Sequence, residues 1–339
     1  MTNPQQVNLA DYTTMRIGGP ASMVTARTID ELIEAVRAAD AAEQAVLLVG
    51  GGSNLVISDD GFDGVAVRIA CGGGSMIDDG DETVVEIRAG EPWDFVVTDA
   101  VDNGLAGIEC LSGIPGLAGA TPVQNVGAYG AEIADVLESV DVFDRLAGER
   151  RTLTAHECGF GYRTSIFKHS HQYLVLAVRL RLPVSRQSAP IRYAELARAL
   201  GVEIGQRAPL AEVREAVLAL RRSKGMVLDA ADHDTWSAGS FFTNPIVPPP
   251  AVPEGAPAYD AGGGLVKTSA AWLIEHAGFG KGYGNDRASL STKHTLALTN
   301  RGAARAADIL ALAREIRDGV QGKYGIELHP EPLLIGVTL

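Results

Sequence analysis

The stretch "LLVGGGSNLVISDDGFDGVAVRI", residues 47–69, decides the fold because apolar runs alternate in it with glycine turns. The pattern predicts a strand, a glycine turn, a short strand, a loop and another strand. A Rossmann fingerprint needs G-x-G-x-x-G and then a helix, whereas Gly50 to Gly52 are consecutive and lead into strand-favouring Leu, Val and Ile. The stretch is therefore a poor Rossmann motif. It is either a tight turn between strands or a turn whose backbone N–H groups bind a phosphate.

A second glycine-rich segment, "LSGIPGLAGATPVQNVGAYG" (111–130), lies in a region that carries almost no charge apart from Glu109 and Glu132. A loop of this length inside a compact domain is usually functional. With so little side-chain bulk, its backbone could pass against a flat ring system and a second phosphate. Packing against a neighbouring domain is the alternative. The two glycine-rich segments together favour a cofactor site.

The rest of the chain alternates predicted helices and strands, which indicates a mixed α/β fold. Residues 28–44 have helical spacing and a capping-box start at Thr28 and Glu31. A strand followed by a helix is predicted over 82–104, and the proline-rich stretch 244–260 is predicted to be an exposed excursion. Further strands are predicted at 136–145, 173–183 and 333–339, and further helices at 192–201, 208–225, 267–278 and 303–325.

Composition limits the possible classes of function. The 339 residues are 46% hydrophobic and carry a formal net charge of −13, which argues against general binding to nucleic acid or an anionic membrane. The start shows no signal-peptide pattern, and no apolar run is long enough to span a bilayer. Cys71, Cys110 and Cys158 form neither a disulfide framework nor a zinc motif. We expect a cytoplasmic protein without a metal site.

Six motifs, in order along nearly the whole chain, make the sequence resemble the UDP-N-acetylenolpyruvoylglucosamine reductase family. Each alone is suggestive, and their order makes the resemblance specific. The motifs are "TTMRIGG" (13–19), "VGGGSNLVISDDGFDGVAVRI" (49–69), "GIPGLAGATPVQNVGAYGAEI" (113–133), "CGFGYRTSIFK" (158–168), "AGSFFTNP" (238–245) and "HPEPLLIG" (329–336).

The resemblance implies a vanillyl-alcohol-oxidase-like FAD-binding fold of two α/β domains plus a smaller C-terminal α/β substrate-binding domain. The implied domains are residues 1–69, completed by the strand at 327–339, then 70–225 with a tyrosine loop near 185–200, then 226–326 for substrate. FAD would contact two groups of residues. The implied FAD-binding residues are Gly50, Gly51, Gly52, Ser53, Asn54 and Leu55 around the pyrophosphate, and Gly116, Thr121, Gln124, Asn125 and Gly127 along the isoalloxazine and ribityl side.

The family reaction implied for this chain is the NADPH-driven reduction of UDP-N-acetylglucosamine enolpyruvate to UDP-N-acetylmuramate, a peptidoglycan precursor. The resemblance makes Arg163, Ser240 and Glu331 catalytic. Hydride added at C3 leaves negative charge at C2, which a cation at the carboxylate stabilises, a role that suits Arg163. Glu331 would have to be protonated to donate a hydrogen bond to the same oxygens. Ser240 would protonate C2 in a site kept dry by the two phenylalanines that follow it.

The substrate contacts implied by the resemblance are Tyr193, Lys224 and Asn244. "PIRYAEL" (190–196) resembles the tyrosine-bearing loop of the type I branch, which folds over the nucleotide sugar. The stretch 224–240 departs from the family by its length and by lacking "LPDP" after the lysine. A monomer is a family expectation.

Plainer interpretations exist for the same residues, and two other functions compete. Arg163 could form a structural ion pair, Glu331 could lie in a proline-bounded turn, and Lys224 could sit at an exposed helix end. A sugar or alcohol oxidase of the same fold would give no reason for the catalytic triplet. A non-catalytic flavin-binding protein would need the glycine-rich segments but neither "AGSFFTNP" nor "HPEP".

Overall fold

The structure is a computed structural model, and it describes residues 4–339. The α-helices in this range number six: α1 (Ile29–Ala41), α2 (Trp93–Asp102), α3 (Ala194–Leu200), α4 (Leu210–Ser223), α5 (Ala270–His276) and α6 (Ala306–Tyr324). None of them has both the length and the apolar character that a membrane span requires.

The described residues form eighteen strands, most of which are short. They are β1 (Gln5–Asn8), β2 (Pro20–Ala26), β3 (Val46–Val49), β4 (Leu55–Ile57), β5 (Phe62–Ile69), β6 (Gly74–Asp79), β7 (Glu82–Arg88), β8 (Gly127–Ala128), β9 (Ala131–Glu132), β10 (Leu137–Asp144), β11 (Glu149–Thr154), β12 (Tyr173–Pro183), β13 (Ile246–Val247), β14 (Ala258–Gly262), β15 (Leu265–Thr268), β16 (Ala288–Leu290), β17 (Leu298–Asn300) and β18 (Leu333–Ile335).

Most elements expected from the sequence are present. The predicted cap of α1 is confirmed, since the Thr28 hydroxyl accepts the Glu31 N–H at 3.1 Å. The reciprocal bond differs from a capping box, because the Glu31 carboxylate accepts the N–H of Arg27 at 2.7 Å. The proline-rich stretch 244–260 is exposed over much of its length, yet it contains β13 and part of β14, which both pair with β15.

Two compact units divide the chain. Unit one comprises residues 1–5, 22–51 and 64–223, and unit two comprises residues 6–21, 52–63 and 224–339. The three-domain division drawn from the sequence remains a prediction.

Unit one is built around a five-stranded antiparallel sheet with the order β11-β10-β12-β7-β6. Helix α2 packs on one face of this sheet, where the indole of Trp93 is 1% exposed and lies in a cluster with Val140 and Val178. Ion pairs cover other parts of the sheet, such as those of Arg179 with Glu86 and Asp141. In a second, four-stranded sheet of order β1-β2-β5-β3, β3 and β5 run parallel.

In unit two α6 packs against β16 and β17, and α5 packs against α6, around a core that includes Phe241 and Phe242. Strand β18 pairs parallel with β4, which joins segments from distant parts of the sequence. The N-terminus of α6 is capped by Asp59, whose carboxylate accepts the N–H groups of Ala306 and Ala307 at 2.9 and 3.3 Å. A carboxylate at this end of a helix also interacts favourably with the helix dipole.

Candidate active site

The first glycine-rich segment, residues 50–55, begins directly after β3 and ends in β4. Within unit one, a Cβ built on Gly51 would lie 2.8 Å from the Cα of Gly116. A Cβ on Gly50 would lie 3.4 Å from the side chain of Leu117. The backbones of the two glycine-rich segments therefore meet at Gly51 and Gly116, where even an alanine would not fit without a shift.

The rest of the first glycine-rich segment, from Gly52 onward, belongs to unit two, and its backbone is equally crowded there. Gly52 has a φ of +61°, and a Cβ there would lie 1.9 Å from the carbonyl oxygen of Tyr12. The Gly52 carbonyl accepts the N–H of Thr14 at 3.1 Å. Both the left-handed backbone and the lack of space require glycine at this position.

Backbone hydrogen bonds anchor the second glycine-rich segment to α2 and to the residue that follows β7. The Gly116 carbonyl accepts the N–H of Trp93 at 3.0 Å, and the Gly119 N–H donates to the carbonyl of Ala89 at 3.0 Å. The Thr121 hydroxyl donates to the carbonyl of Ala118 at 2.7 Å and is buried. The segment is thus a fixed part of unit one.

An ion pair between α2 and α4 fixes the start of the second glycine-rich segment. The carboxylate of Asp94 accepts two 2.8 Å hydrogen bonds from Arg214 and the N–H of Gly113 at 2.6 Å. Burial alone would raise the pKa of Asp94, but the hydrogen bonds from Arg214 and Gly113 outweigh it and hold that pKa below its usual range. The aspartate is therefore a charged anchor at neutral pH.

Asn125 uses its side chain within the segment itself. It is 2% exposed, has a φ of 46°, and donates from Nδ2 to the carboxylate of Glu132 at 2.7 Å. Its Oδ1 accepts the N–H of Ala134 at 3.1 Å. In this arrangement the asparagine side chain shapes the loop around β8 and β9, while its predicted contact with FAD stays a prediction.

Arg163 lies beside the same loop. Its Nη1 donates to the carbonyl of Asn125 at 3.3 Å, and its Nη2 donates to the carbonyl of Gly127 at 2.7 Å. The backbone of Arg163 is itself left-handed, with a φ of 53°, and its carbonyl accepts the Lys168 ammonium at 2.9 Å. The structure therefore places a held guanidinium against the predicted flavin-facing segment.

Unit two brings the segments of Ser240 and Glu331 together. The Glu331 N–H donates to the carbonyl of Phe241 at 2.8 Å, and Phe242 forms an antiparallel bridge with Pro330. Phe241 and Phe242 are each 1% exposed, with ring centroids 5.1 Å apart. Burying a phenylalanine stabilises a fold by about 1.5–3 kcal/mol. Both rings therefore belong to the core of unit two, and the dry site expected at Ser240 stays a prediction.

The same unit links Asn54 of the first glycine-rich segment to this strand region. The Asn54 carbonyl accepts the N–H of Leu333 at 3.0 Å, and its Nδ2 donates to the carbonyl of Glu331 at 3.4 Å. Ser53 is half-buried and Leu55 is buried. A predicted cofactor residue and a predicted catalytic residue are therefore neighbours in unit two.

The three predicted substrate contacts lie at helix ends. Tyr193 is the N-cap residue of α3 and is 45% exposed. Lys224 directly follows α4, and the Asn244 side chain accepts the N–H of Ala270 at 3.0 Å, at the first residue of α5. Tyr193 belongs to unit one, while Lys224 and Asn244 belong to unit two.

Two residues near Tyr193 were not predicted from the sequence. The ring of Tyr129 meets that of Tyr193 edge to face, with centroids 5.5 Å apart. Burial raises the pKa of Tyr129 to about 12, partly offset by the nearby charge of Arg221. Arg221 is 9% exposed, and burial lowers its pKa. The sequence does indicate that Arg221 is buried, because it continues the helical face of α4 that carries Val213 and Val217.

The glycine-rich segments fit a dinucleotide cofactor such as FAD. Both segments are rich in glycine and carry little side-chain bulk, which suits the close approach of a cofactor to their backbone N–H groups. Among residues 4–339, no group of three or more His, Cys, Asp or Glu side chains is placed to hold a metal ion.

Comparison with known families defines the class. Residues 20–154 match the model of an "FAD binding domain", which includes both glycine-rich segments. Residues 230–335 match the model described as "UDP-N-acetylenolpyruvoylglucosamine reductase, C-terminal domain". These regions define a flavoprotein with a separate C-terminal domain, and the expected mixed α/β fold with FAD as cofactor is confirmed.

Relatives extend the match to nearly the whole chain. UDP-N-acetylenolpyruvoylglucosamine reductases from Saccharopolyspora erythraea and Nocardia farcinica are 57% and 56% identical, covering 98% and 99% of this chain and 95% and 90% of theirs. The crystal structure of the reductase from Thermus caldophilus aligns with a TM-score of 0.69 at 28% identity, covering 99% of this chain and 100% of that one. The chain belongs to the UDP-N-acetylenolpyruvoylglucosamine reductase family.

Proposed function

We propose that the chain catalyses the NADPH-driven, FAD-dependent reduction of UDP-N-acetylglucosamine enolpyruvate to UDP-N-acetylmuramate. The observation that carries the proposal is the pairing of the Ser240 and Glu331 segments in unit two, in a chain of this family. FAD, when bound, supplies the hydride that adds to C3 of the enolpyruvyl group.

Arg163 has the role of binding the substrate carboxylate as negative charge develops on it. A guanidinium has five N–H donors in a planar fork, and two of them bond the carbonyls of Asn125 and Gly127. Those bonds fix the position of the charge before substrate arrives. A cation held in place in this way stabilises the developing enolate without reorganisation during the reaction.

Ser240 has the role of donating a proton to C2, and Glu331 that of donating a hydrogen bond to the enolate oxygens. A serine hydroxyl is a weak acid, so it can protonate only a strongly basic carbon in a site that excludes water. The burial of Phe241 and Phe242 directly after Ser240 supports such a site. The product then gains one hydride at C3 and one proton at C2, which balances the reduction by NADPH.

The proposed substrate contacts are Tyr193, Lys224 and Asn244. A nucleotide sugar carries a diphosphate, so the ammonium of Lys224 suits its charge, and the hydroxyl of Tyr193 and amide of Asn244 suit its oxygens. The exposure of Tyr193 at the N-cap of α3 leaves its ring on the surface of unit one, where a ligand can reach it.

The test is the visible absorption spectrum of the purified protein without oxygen. NADPH should bleach the flavin bands, and UDP-N-acetylglucosamine enolpyruvate should restore them. UDP-N-acetylglucosamine, which lacks the enolpyruvyl group, is the control and should leave the bands bleached. A protein without flavin would contradict the cofactor and the mechanism. If only oxygen restored the bands, an oxidase would replace the reductase as the function.

A further inference from the structure

Glu109 is a fully buried carboxylate that connects two segments of unit one. It begins a short 3-10 helix, Glu109–Leu111, and is 1% exposed. Its Oε2 accepts the N–H of Gly107 at 2.6 Å, and its Oε1 accepts the N–H of Ala189 at 2.9 Å. A buried carboxylate is costly unless it is hydrogen-bonded, so these two bonds explain how it is tolerated.

The second of these bonds reaches what we call the tyrosine segment, residues 186–193, which leads into α3. Hydrogen bonds from the Ser188 N–H to the carbonyl of Ala208 and from the Ile191 N–H to the carbonyl of Gln206, each 2.8 Å, tie it to the loop before α4. The side chain of Ile191 is buried in a cluster with Cys110, the neighbour of Glu109. Glu109 is therefore the charged contact between this segment and the helix that precedes the second glycine-rich segment.

The tyrosine segment meets the second glycine-rich segment again at its other end. There the ring of Tyr193 packs edge to face on the ring of Tyr129, two residues after Gly127. The backbone of Tyr129 is left-handed, with a φ of 51°, which fixes the direction of its side chain. These two contacts, one polar and one aromatic, therefore add to the bonds with the loop before α4 in holding the segment that carries Tyr193.

We infer that Glu109 is a positioning residue for substrate binding: it holds the tyrosine segment so that Tyr193 is preset for the nucleotide sugar. The inference rests on the proposed function, because the contact of Tyr193 with substrate is part of that proposal. A carboxylate can accept both N–H bonds, whereas the single oxygen of a glutamine can accept only one of them in this geometry. The Glu109→Gln side chain has nearly the same shape but offers one neutral acceptor in place of a charged carboxylate, so the bond to Ala189 is weakened or lost with little change in packing.

The test combines amide hydrogen exchange with kinetics of the FAD-loaded enzyme. In Glu109→Gln, exchange over 186–193 should become about tenfold faster, the size expected for losing a hydrogen bond to a charged group. KM for the nucleotide sugar should rise about fivefold or more, while the rate of flavin bleaching by NADPH stays unchanged. In a Tyr193→Phe background, the same substitution should raise KM by less than about twofold, because coupled sites are not additive.

Asp144→Asn is the matched control. Asp144 is also a buried carboxylate of unit one, 2% exposed, and it accepts the N–H groups of Leu146 and Ala147 at 3.0 and 3.1 Å. It also accepts hydrogen bonds from Gln172 at 3.1 Å and from Arg151 at 3.5 Å, and all of these partners lie outside the tyrosine segment. This variant should leave exchange over 186–193 and KM at the wild-type values.

The outcomes separate this inference from the proposed function. Unchanged exchange over 186–193 in Glu109→Gln would overturn the inference, and so would faster exchange with an unchanged KM when Tyr193→Phe raises KM. If the wild-type enzyme does not turn over the enolpyruvyl substrate, the proposed function fails, and the exchange result alone decides whether Glu109 holds the segment. If Glu109→Gln does not fold, Ala189→Pro removes the N–H that Glu109 accepts and must give the same exchange and KM changes.

Discussion

Replacing Gly51 with alanine would test whether the two glycine-rich segments form one cofactor site. The new Cβ would lie 2.8 Å from the Cα of Gly116, whereas ordinary contacts begin at 3.4 Å, so the backbones must separate by about 0.6 Å. Overpacking between backbone atoms costs about 1–3 kcal/mol. If FAD needs both segments in place, a cost of about 1.4 kcal/mol in the bound state raises its Kd about tenfold.

The assay is thermal unfolding of the FAD-free and FAD-loaded protein, together with titration of the FAD-free protein with FAD. Gly280→Ala is the control, because Gly280 has no atom within 4 Å of a built Cβ and neither glycine has a left-handed φ. The control should match wild type, whereas Gly51→Ala should unfold at a lower temperature and bind FAD more weakly. Wild-type stability and wild-type FAD affinity in Gly51→Ala would refute the close approach of the two segments.

Three further outcomes follow from the structure. Ser240→Ala should keep flavin bleaching by NADPH but lose about 10²-fold or more in reoxidation by substrate, the range for a lost general acid. Ser237→Ala, a buried serine three residues earlier, should keep both steps; reoxidation at the wild-type rate in Ser240→Ala would remove the serine from the mechanism. Because the folded-state pKa of Asp94 is lowered, its contribution exists above the unfolded pKa and disappears as the pH falls through the folded value. In urea unfolding, Asp94→Asn should therefore cost about 1 kcal/mol at pH 7 and progressively less as the pH falls below about 4, and a cost that does not change with pH would contradict the charged pairing. All three cysteines are buried thiols with a raised pKa, so a thiol reagent at pH 8 should label none in the folded protein and three in denaturant; rapid labelling of the folded protein would show that the thiols are accessible.

The sequence predicts the buried elements of this fold well and its edges poorly. Strand β12 has the bounds expected for 173–183, because its buried apolar residues run continuously from Leu174 to Val178 and then alternate with arginines, as in an antiparallel strand with one solvated face. The edge strands β6 and β11 were not predicted. All six residues of β6 are exposed, so no alternation of apolar and polar residues marks it, and it exists through pairing with β7.

The site shows the same division between local pattern and tertiary contact. Its glycines could be predicted, since Gly52 needs a left-handed backbone that its sequence neighbours already suggest. The hydrogen bonds from the Arg163 guanidinium to the carbonyls of Asn125 and Gly127 could not be predicted, because they join segments far apart in the chain. Glu109 left a signal, as one of few charges in an apolar region, but nothing local shows that its partner is Ala189.

The parallel pairing of β4 with β18 has a consequence for the order in which the protein is made. Residues of unit one occupy most of the chain between these two strands, so a ribosome finishes that unit well before β18 emerges. Until then, β4 and the segment around Tyr12 have no complete unit to join. Unit two can therefore be completed only after β18 has been synthesised, although β4 is synthesised early. During that interval β4 is an apolar strand without its partner, and a chaperone that binds apolar strands would find it exposed.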